Sequence, residues 1–428
     1  MQNRVLIVSY YWPPAGGPGV QRWLKFTKYL PDFGYEPYVY IPENPSYPII
    51  DLSLQKEINP KVKIVKQPIW EPYKIAEKLT KNNKDFKAGQ FETNKKQSFL
   101  SKASVFIRGN FFIPDARKFW IAPSVKFLSE YLQKNKINIL ITTGPPHSMH
   151  LIGMKLKNKI PNLKWIADFR DPWTDISYYS ELKLTSFADK KHKKLEKQVM
   201  NQADIILSTS YTDKENFIKL GAKNVVCITN GFDSEILPES IKTSKFTLSY
   251  IGMLETLRNP NNLWKVLNEL ITQHSDFKND FELKFVGKIA NSILDELQVS
   301  PLKNIIINKG YLSHQESISE MNNSTLLLIT NFDRKKSKGI IPGKLFEYLA
   351  TGKKIISIGP ENADVKKILN ETQAGKHFTY QDYDKLKFFI LSEYEKWKNN
   401  ICYFSSQDIK RFHRKKLTKQ LSEIIKNL

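Results

Sequence analysis

Short runs of apolar residues alternate along this chain with segments in which apolar residues recur every three or four positions. The first run, RVLIVSY at residues 4–10, is rich in β-branched residues and predicts a strand. A loop, YWPPAGGPG, follows it, and the amphipathic stretch at 20–33 predicts a helix. Strands that alternate with helices are typical of a parallel sheet covered on both faces.

The same alternation continues through the first half of the chain. Further predicted strands are YEPYVYIP, KVKIVKQ, INILITT, LKWIADF, ADIILSTS and NVVCIT. Residues 80–120 interrupt the pattern with a polar, lysine-rich segment and then an aromatic, basic one, which we interpret as an insertion with one or two helices. The first half therefore predicts a Rossmann-like domain over residues 1–237.

The pattern breaks at Asn230 and then starts again. GFDSEILPESIKTSK is polar and turn-rich, as expected of a linker. After it, FTLSYIG, FELKFVG, NIIIN, STLLLIT and KKIISIG predict the strands of a second doubly wound sheet. We predict an α/β fold with two Rossmann-like doubly wound domains, the second over 238–400, followed by a basic helical segment at 401–428.

Composition adds a strong positive charge to this picture. Lys and Arg number 66 against 43 Asp and Glu, a formal net charge of +23. That balance favours anionic partners such as nucleic acid, an anionic membrane surface or phosphorylated substrates, although lysines on solvated faces would also produce it. The two cysteines, Cys227 and Cys402, suggest neither a disulfide framework nor a zinc site. With no signal peptide or membrane span recognisable, we expect a cytoplasmic protein whose membrane contact, if any, is peripheral.

Glycines in the first loop are candidates for binding a phosphate group. Gly16, Gly17 and Gly19 lie between the first predicted strand and its helix, where backbone can approach a phosphate and the helix N-terminus attracts anions. Arg22 stands where a dinucleotide-binding G-x-G-x-x-G motif would have its last glycine. A tight turn without a ligand is the alternative.

Two further strand ends carry polar side chains that could perform chemistry. His147, in GPPHS, could contact a donor sugar or act as a base, or could simply start a helix. Asp168 and Asp171, in DFRDPW, could bind acceptor hydroxyls or accept a proton. The structural alternative is that Arg170 pairs with one of these aspartates and closes the loop.

The second half has its own candidate site for a diphosphate. Lys344 and Glu347 are three positions apart near the predicted start of a helix, with Pro342 suited to the first helical position and Gly352 to the C-terminal end. A diphosphate could bind at this N-terminus, with Lys344 adding charge. Arg258 follows the strand FTLSYIG and could clamp the same group. A surface salt bridge between Lys344 and Glu347 is the alternative.

Taken together, these segments resemble the retaining glycosyltransferases of family 4, whose B-type glycosyltransferase fold has two Rossmann-like domains facing across a cleft. GIIPGKLFEYLATGKKIISIG resembles their donor-binding helix, and QADIILSTS with NVVCITNGFD resembles the end of their N-terminal domain. GPPHS and DFRDPW are similar to a subgroup of bacterial surface-polysaccharide synthesis. The resemblance also implies that a C-terminal helix crosses back to the N-terminal domain.

The resemblance assigns roles to particular residues. Glu347 is expected to hold the donor ribose, while Lys344 and Arg258 neutralise the diphosphate. The backbone groups expected to approach the donor are those of Gly16, Gly17, Gly339 and Ile340. The family often has a glutamate eight positions before Glu347 that contacts the donor sugar, and this chain has Gly339 there.

We therefore predict a glycosyltransferase that uses a nucleotide-diphosphate-sugar donor, with UDP or GDP as the expected nucleotide, and a glycan or lipid-linked acceptor. No D-x-D motif follows a predicted strand, so we expect no metal and no cofactor. Alternatives are a nucleotide-sugar epimerase, a non-catalytic sugar-nucleotide binder and a nucleic-acid binder, although the last has no RRM, KH or zinc-finger signature. The segment at 98–120 could dock a membrane, or its aromatic residues could be ordinary core.

Overall fold

The computed structural model of the chain describes residues 3–72, 99–176, 179–234, 243–401 and 408–428. The chain divides into two compact units, one formed by Met1–Thr229 with Arg414–Leu428 and the other by Asn230–His413. The lysine-rich segment at 81–97 and Cys402 lie outside the described residues, so the expectations that concern them stay predictions.

Each unit is built on one parallel sheet. The first sheet has the strand order β3-β2-β1-β4-β5-β6-β7 and the second has the order β10-β9-β8-β11-β12-β13. The strands are Asn3–Val8 (β1), Tyr35–Pro42 (β2), Lys63–Gln67 (β3), Ile139–Gly144 (β4), Lys164–Phe169 (β5), Ile205–Ser208 (β6), Val225–Cys227 (β7), Phe246–Ile251 (β8), Phe281–Val286 (β9), Ile306–Asn308 (β10), Leu326–Thr330 (β11), Lys354–Ile358 (β12) and Gly375–Phe378 (β13).

Helices connect consecutive strands in both units, except that β2 and β3 are joined through the 3₁₀ helix Leu52–Glu57 alone. Their bounds are Pro18–Tyr29 (α1), Phe99–Phe111 (α2), Ile121–Lys134 (α3), Ser148–Lys159 (α4), Ser186–Gln202 (α5), Tyr211–Lys219 (α6), Asn261–Gln273 (α7), Ser275–Asp280 (α8), Asn291–Gln298 (α9), His314–Asn322 (α10), Lys344–Ala350 (α11), Asp364–Thr372 (α12), Tyr383–Lys398 (α13) and Arg414–Lys426 (α14). Among the described residues, no helix is both long enough and apolar enough to cross a bilayer.

Alternation along β1 shows why the first sheet is apolar on both faces. Val5 and Ile7 pack into one core and Leu6 and Val8 into another, and all four are fully buried. A parallel sheet needs such runs because helices cover both of its faces. The C-terminal helix α14 belongs to the first unit, and its apolar side chains lie in the core that contains Val5 and Ile7. These side chains are Leu417, Leu421 and Ile425.

The predicted fold class is confirmed, since both halves are doubly wound parallel sheets. One strand escaped the sequence pattern. β13 reads GKHF and pairs in parallel with β12 at the edge of the second sheet. Its first three residues are a glycine, a lysine and a histidine, so no apolar run marks it, and only pairing with β12 makes it a strand.

Candidate functional site

The strand order reverses between β1 and β4 in the first sheet and between β8 and β11 in the second. In open α/β sheets, ligands bind beyond the carboxyl ends of the strands at such a reversal. The residues after β1, β4 and β5 in the first unit, and after β8 and β11 in the second, are therefore the candidate ligand-binding positions.

In the second unit, Lys344 is held directly over the end of β8. Its Nζ donates a hydrogen bond to the Ile251 carbonyl at 2.8 Å and lies 3.7 Å from the ring centroid of Tyr250. A Cβ on Gly252 would lie 3.3 Å from this Nζ, and Gly252 has φ +115°, so glycine suits the position on both counts. Burial, together with the charge of Arg258, lowers the pKa of the Lys344 ammonium.

Arg258 supplies a second cation at the same strand end. It ends the 3₁₀ helix Thr256–Arg258, and its guanidinium lies 4.2 Å from the ring centroid of Phe332. Its Nε is 3.5 Å from Glu255 Oε2, and that ion pair is partly exposed. Because such a pair contributes little, Arg258 keeps most of its charge available to a bound anion.

Glu347 and Lys344 bind different partners in the structure. Glu347 Oε1 lies 3.0 Å from His314 Nε2, at a half-buried carboxylate, whereas Lys344 binds the end of β8. The expectation that Pro342 begins the helix is wrong, because α11 starts at Lys344 and the Pro342 carbonyl accepts the Leu345 N–H at 2.9 Å.

The short loop before α11 is held by backbone hydrogen bonds on both sides of Gly339. The N–H of Ile340 donates to the Ser337 carbonyl at 3.1 Å, so a ligand would have to replace that bond. Asp364 N–H donates to the Lys338 carbonyl at 2.9 Å, which fixes the loop from the side of α12. Gly339 lies between these two anchored residues.

Asn331 is a residue of this site that the sequence analysis missed. Its Nδ2 donates to the Ile340 carbonyl at 2.9 Å, and its own carbonyl accepts the Tyr380 hydroxyl at 2.7 Å. Its Oδ1 is buried without a hydrogen-bond partner among the described residues. Asn331 directly follows the predicted strand STLLLIT, so the rule that ligands lie at strand ends could have identified it.

In the first unit, the glycine loop prepares the start of α1. Gly17 caps this helix with φ 97° and ψ 172°, a conformation that side-chain-bearing residues rarely adopt. A Cβ on Gly19 would clash with Arg170 Nη1, so the guanidinium of Arg170 lies against the first turn of α1. Arg170 also donates through Nη2 to the Pro145 carbonyl. Arg170 is thus the group that the structure places against this turn.

Asp168 forms a buried ion pair, but its partner is Arg22 and not the expected Arg170. Arg22 Nη2 lies 2.8 Å from Asp168 Oδ1, and Trp23 Nε1 and the Thr143 hydroxyl donate to Oδ2 at 2.7 and 2.9 Å. Burial alone would raise the pKa of Asp168, but Arg22 and these hydrogen bonds lower it. Arg22 also binds the carbonyls of residues 228 and 229 after β7, which explains why arginine stands at the last motif position.

Asp171 lies at the surface, two residues past the end of β5. It therefore differs from Asp168, which is fully buried and has hydrogen bonds to both carboxylate oxygens. Of the two aspartates, only Asp171 is accessible to an acceptor hydroxyl.

His147 precedes α4 and is nearly buried. Its ring stacks on Trp173 with centroids 4.8 Å apart and an interplanar angle of 1°. His150, one turn later, stacks on Phe169 at 4.3 Å and is fully buried. Burial lowers the pKa of both histidines, that of His150 to about 3, so both are neutral near pH 7. The sequence analysis missed His150.

The aromatic, basic segment divides into core and surface. Trp120 is core, since it stacks on Tyr40 at 4.8 Å and is fully buried. Phe111 is 64% exposed, and Trp70 and Phe119 form an exposed edge-to-face pair at 4.6 Å. Lys118 lies 5.0 Å from the ring centroid of Phe119. The segment is therefore neither all buried core nor all exposed surface.

Several solved structures have the same fold as this chain. HepE of Anabaena, solved with UDP-glucose, matches with a TM-score of 0.60 and 13% identity over 99% of this chain and 100% of its own. The lipopolysaccharide outer core galactosyltransferase WaaB matches at 0.57 and 15% over 99% and 100%. A Listeria monocytogenes protein assigned as a UDP-N-acetylglucosamine 2-epimerase matches at 0.56 and 12% over 100% and 96%.

No protein-family model and no curated protein matches the sequence. At identities this low, the structural likeness establishes the fold alone. The chain has the two-Rossmann-domain fold of these glycosyltransferases.

Proposed function

We propose that this protein is a glycosyltransferase that moves a sugar, with retention, from a nucleotide-diphosphate-sugar donor to a glycan or lipid-linked acceptor in cell-surface polysaccharide synthesis. The observation that carries the proposal is the pair of cations, Lys344 and Arg258, at the end of β8. Burial is the main cause of the lowered pKa of Lys344, and the charge of Arg258 lowers it further because the two cations repel each other. A diphosphate bound beside both cations would attract each of them and offset their mutual repulsion.

The same cations can assist the chemical step. When the bond between the sugar and the diphosphate breaks, negative charge develops on the leaving phosphate. Cations already in place stabilise that charge without reorganisation, and this is often the largest contribution to catalysis. Lys344, which Ile251 and Tyr250 hold in position, meets this requirement, and we propose that no metal ion is needed.

Glu347 is proposed to hold the donor ribose through its carboxylate. Its Oε1 lies 3.0 Å from His314 Nε2, and the two oxygens of a carboxylate can together accept several hydrogen bonds. The loop before α11 would present the Gly339 and Ile340 backbone to the phosphates or sugar, with Asn331 fixing it through the Ile340 carbonyl. Gly16, Gly17 and Gly19 remain proposed as a second backbone approach to the donor.

On the acceptor side, Asp171 is the proposed proton acceptor or hydroxyl ligand because it is exposed. Asp168 is proposed to position it, since Asp168 anchors the end of β5 through Arg22. His147 is neutral near pH 7 and can accept a hydrogen bond from a sugar hydroxyl.

A lipid-linked acceptor would bring the protein to an anionic membrane surface, and one surface of the first unit suits this. Exposed aromatic side chains there include Trp70, Phe111 and Phe119, and Phe187, the second residue of α5, is 74% exposed. The same helix carries five exposed lysines after Phe187, at positions 190, 191, 193, 194 and 197. Apolar side chains beside cations favour binding at an anionic bilayer surface.

Nucleotide binding provides the first test. Isothermal titration of the full chain with UDP, GDP, ADP, TDP and CDP should find one tight partner. The variants Lys344→Met and Glu347→Gln should weaken that binding, because they remove the diphosphate and ribose contacts. Lys398→Met is the matched control, since Lys398 is an exposed lysine of the same unit, 3.0 Å from Asp276.

The variants separate the possible outcomes. Loss of binding in both variants but not in the control supports the donor site. Equal binding in all of them, or no binding at millimolar nucleotide, contradicts it. Incubation with the matching nucleotide sugar then separates two activities, because an epimerase changes the free donor without an acceptor, whereas a transferase needs one.

Membrane binding has its own test. The protein should cosediment with vesicles that contain phosphatidylglycerol. The double variant Trp70→Ser/Phe111→Ser should remain in the supernatant. Equal sedimentation of the variant, or binding to neutral phosphatidylcholine vesicles, would contradict an anionic docking surface.

A further inference from the structure

Two nearly buried polar side chains lie on one face of the lysine-rich helix α5. Glu196 is 2% exposed, and His192, one turn earlier, is 3% exposed. Side chains four positions apart are neighbours on a helix, so the two form one patch. Burying a carboxylate is costly unless other groups bind it, so the partners of Glu196 indicate why it is there.

The carboxylate of Glu196 binds the loop after β5. Its Oε1 accepts the backbone N–H groups of Trp173 and Thr174 at 3.3 and 3.2 Å. Its Oε2 accepts the Thr174 hydroxyl at 2.5 Å. Burial raises the pKa of Glu196, and these hydrogen bonds oppose that rise because they favour the charged form. One side chain of α5 thus satisfies two consecutive backbone N–H groups of the loop.

His192 binds the side chain of the same tryptophan. Its Nδ1 accepts the Trp173 indole N–H at 3.0 Å. Its other nitrogen, Nε2, lies 3.4 Å from the Gly109 carbonyl of α2, so Nε2 carries the proton and donates it to that carbonyl. Burial lowers the pKa of His192, which keeps the ring neutral and the Nδ1 lone pair available near pH 7.

Trp173 is consequently fixed at three points. Its backbone N–H is bound by Glu196 and its indole N–H by His192. Its ring stacks on that of His147, with centroids 4.8 Å apart and an interplanar angle of 1°. Such a stack requires one orientation of the indole ring, and the hydrogen bond to His192 sets that orientation.

Asp171 lies between two anchored parts of the same loop. On the β5 side, the Arg170 N–H donates to the Gly144 carbonyl at 2.9 Å, and the Arg170 carbonyl accepts the Thr209 hydroxyl at 2.7 Å. Two residues after Asp171, α5 holds Trp173. Since Asp171 itself is exposed, its position depends on these anchors on either side of it.

We propose that Glu196 and His192 are positioning residues of the acceptor side, which hold the loop at 170–174 so that the Asp171 carboxylate and the His147 ring keep a fixed relation to each other. The hydroxyl-binding role of Asp171 and His147 rests on the proposed function, whereas the anchoring of the loop does not. Glu196 and His192 act through the loop and not on the substrate, because both are buried and already bind loop atoms.

Amide hydrogen exchange of the full chain, measured by nuclear magnetic resonance, tests the backbone anchor. In Glu196→Leu, the Trp173 and Thr174 amide protons should exchange about 10-fold faster or more, because they lose a charged acceptor. Glu196→Gln should restore most of the protection, since an amide oxygen can accept the same N–H groups. Glu393→Gln is the matched control, because Glu393 is a 4% exposed helix glutamate of the second unit, paired with Lys396. Unchanged exchange in a folded Glu196→Leu protein would overturn the proposal.

His192→Phe is a second variant, which decides the question even where the leucine variant does not fold. It keeps a ring and removes the acceptor, so the indole N–H resonance of Trp173, assigned with Trp173→Phe, should move upfield. The backbone amide resonance of Asp171 should shift with it. The indole resonance of Trp264, which donates to Asn259 in the second unit, is the reference. An Asp171 resonance that stays in place would show that the loop keeps its position without α5.

Kinetics with UDP-glucose as the donor probe and octyl glucoside as the acceptor probe test the acceptor side. Glu196→Leu should raise the KM for octyl glucoside about 10-fold, because the loop is misplaced. The KM for UDP-glucose should not change, since Lys344, Arg258 and Glu347 belong to the second unit. Glu196→Gln should return the first KM toward the wild-type value. A lower kcat with both KM values unchanged would indicate a role in stability alone and overturn the proposal. If the wild-type chain binds no nucleotide sugar, the proposed function fails, while the resonance measurements still decide whether α5 holds the loop.

Discussion

The strand ends of the two sheets carry charged residues of different kinds. In the first sheet, Arg22 and Asp168 are at most 1% exposed and bind each other, and Arg22 also donates to a backbone carbonyl after β7. In the second, Lys344 and Arg258 are half-buried cations, and Arg258 has a partly exposed ion pair with Glu255. The first arrangement holds strands together, whereas the second leaves charge for a ligand. A charged residue at a strand end can therefore be structural or available to a ligand. Complete burial together with full pairing identifies the structural kind.

The buried pair gives the largest expected effect. Arg22→Met should lower the free energy of unfolding by about 3–5 kcal/mol, because it leaves Asp168 charged and buried without its partner. Urea denaturation measures this. Lys398→Met, which removes an exposed pair, should cause no measurable change. If Arg22→Met were as stable as that control, the Arg22–Asp168 pair would not be holding the strand ends of the first sheet together.

The double variant Arg22→Met/Asp168→Leu tests whether the unpaired carboxylate causes that loss of stability. Since the unpaired buried carboxylate is then gone, part of the lost stability should return. A double variant that is less stable than the single one would show that Asp168 has a structural role beyond the pair.

The cations of the second unit should affect ligand binding more than stability. Arg258→Met should weaken binding of the cognate nucleoside diphosphate about 10-fold or more, since a hydrogen bond to a charged group contributes about 1.5–3 kcal/mol. It should also raise the pKa of Lys344, because the charge of Arg258 helps to lower it. Affinity falls as pH rises through the pKa of Lys344, so in the variant that fall should occur at higher pH. Titrations between pH 7 and 10.5 would contradict the idea if the two profiles coincided.

Acid should destabilise the protein through its buried histidines, most of which belong to the first unit. Burial lowers the folded-state pKa of His147, His150, His192 and His377. The unfolded chain therefore binds more protons below about pH 6.5, and stability falls as pH falls, by up to about 1.4 kcal/mol per pH unit for each histidine. For His150 this loss continues to about pH 3. His150→Phe should reduce the slope by one proton, and an unchanged slope would argue against a buried neutral His150.

The smallest effect is expected in the glycine loop. Gly19→Ala adds a methyl group where Arg170 Nη1 lies, so this side chain must move away from α1. The better helix propensity of alanine partly offsets that change, and we expect a net loss of about 1 kcal/mol or less. Gly343→Ala is the matched control, because nothing lies within 4 Å of its Cβ position. Equal thermal unfolding of the two variants would show that Arg170 is not held against the helix.

Much of the fold could be predicted from the chain itself. β2 was predicted with its observed bounds, and β8 and β9 within one residue, because parallel strands need continuous apolar runs that stand out. β13 could not be predicted, since its residues become a strand only by pairing with β12. The start of α11 was misplaced by two residues because Pro342 suits a first turn but here only accepts a hydrogen bond.

For the site, sequence order suggested which residues lie near strand ends but not what they bind. DFRDPW suggested an aspartate–arginine pair, and the partner turned out to be Arg22, 146 positions away. The same limit applies to His150, whose hydrogen-bond partner Thr142 belongs to the preceding strand.

The alternation of strands and helices, the two sheets and the positions of the polar loops could be predicted from the amino-acid pattern, because they depend on local periodicity and on burial of both sheet faces. The folded chain was needed to show that Asp168 is paired with Arg22 and buried, and that Lys344 is held over the end of β8. These features depend on distances between residues far apart in the chain, and local pattern contains no information about such distances.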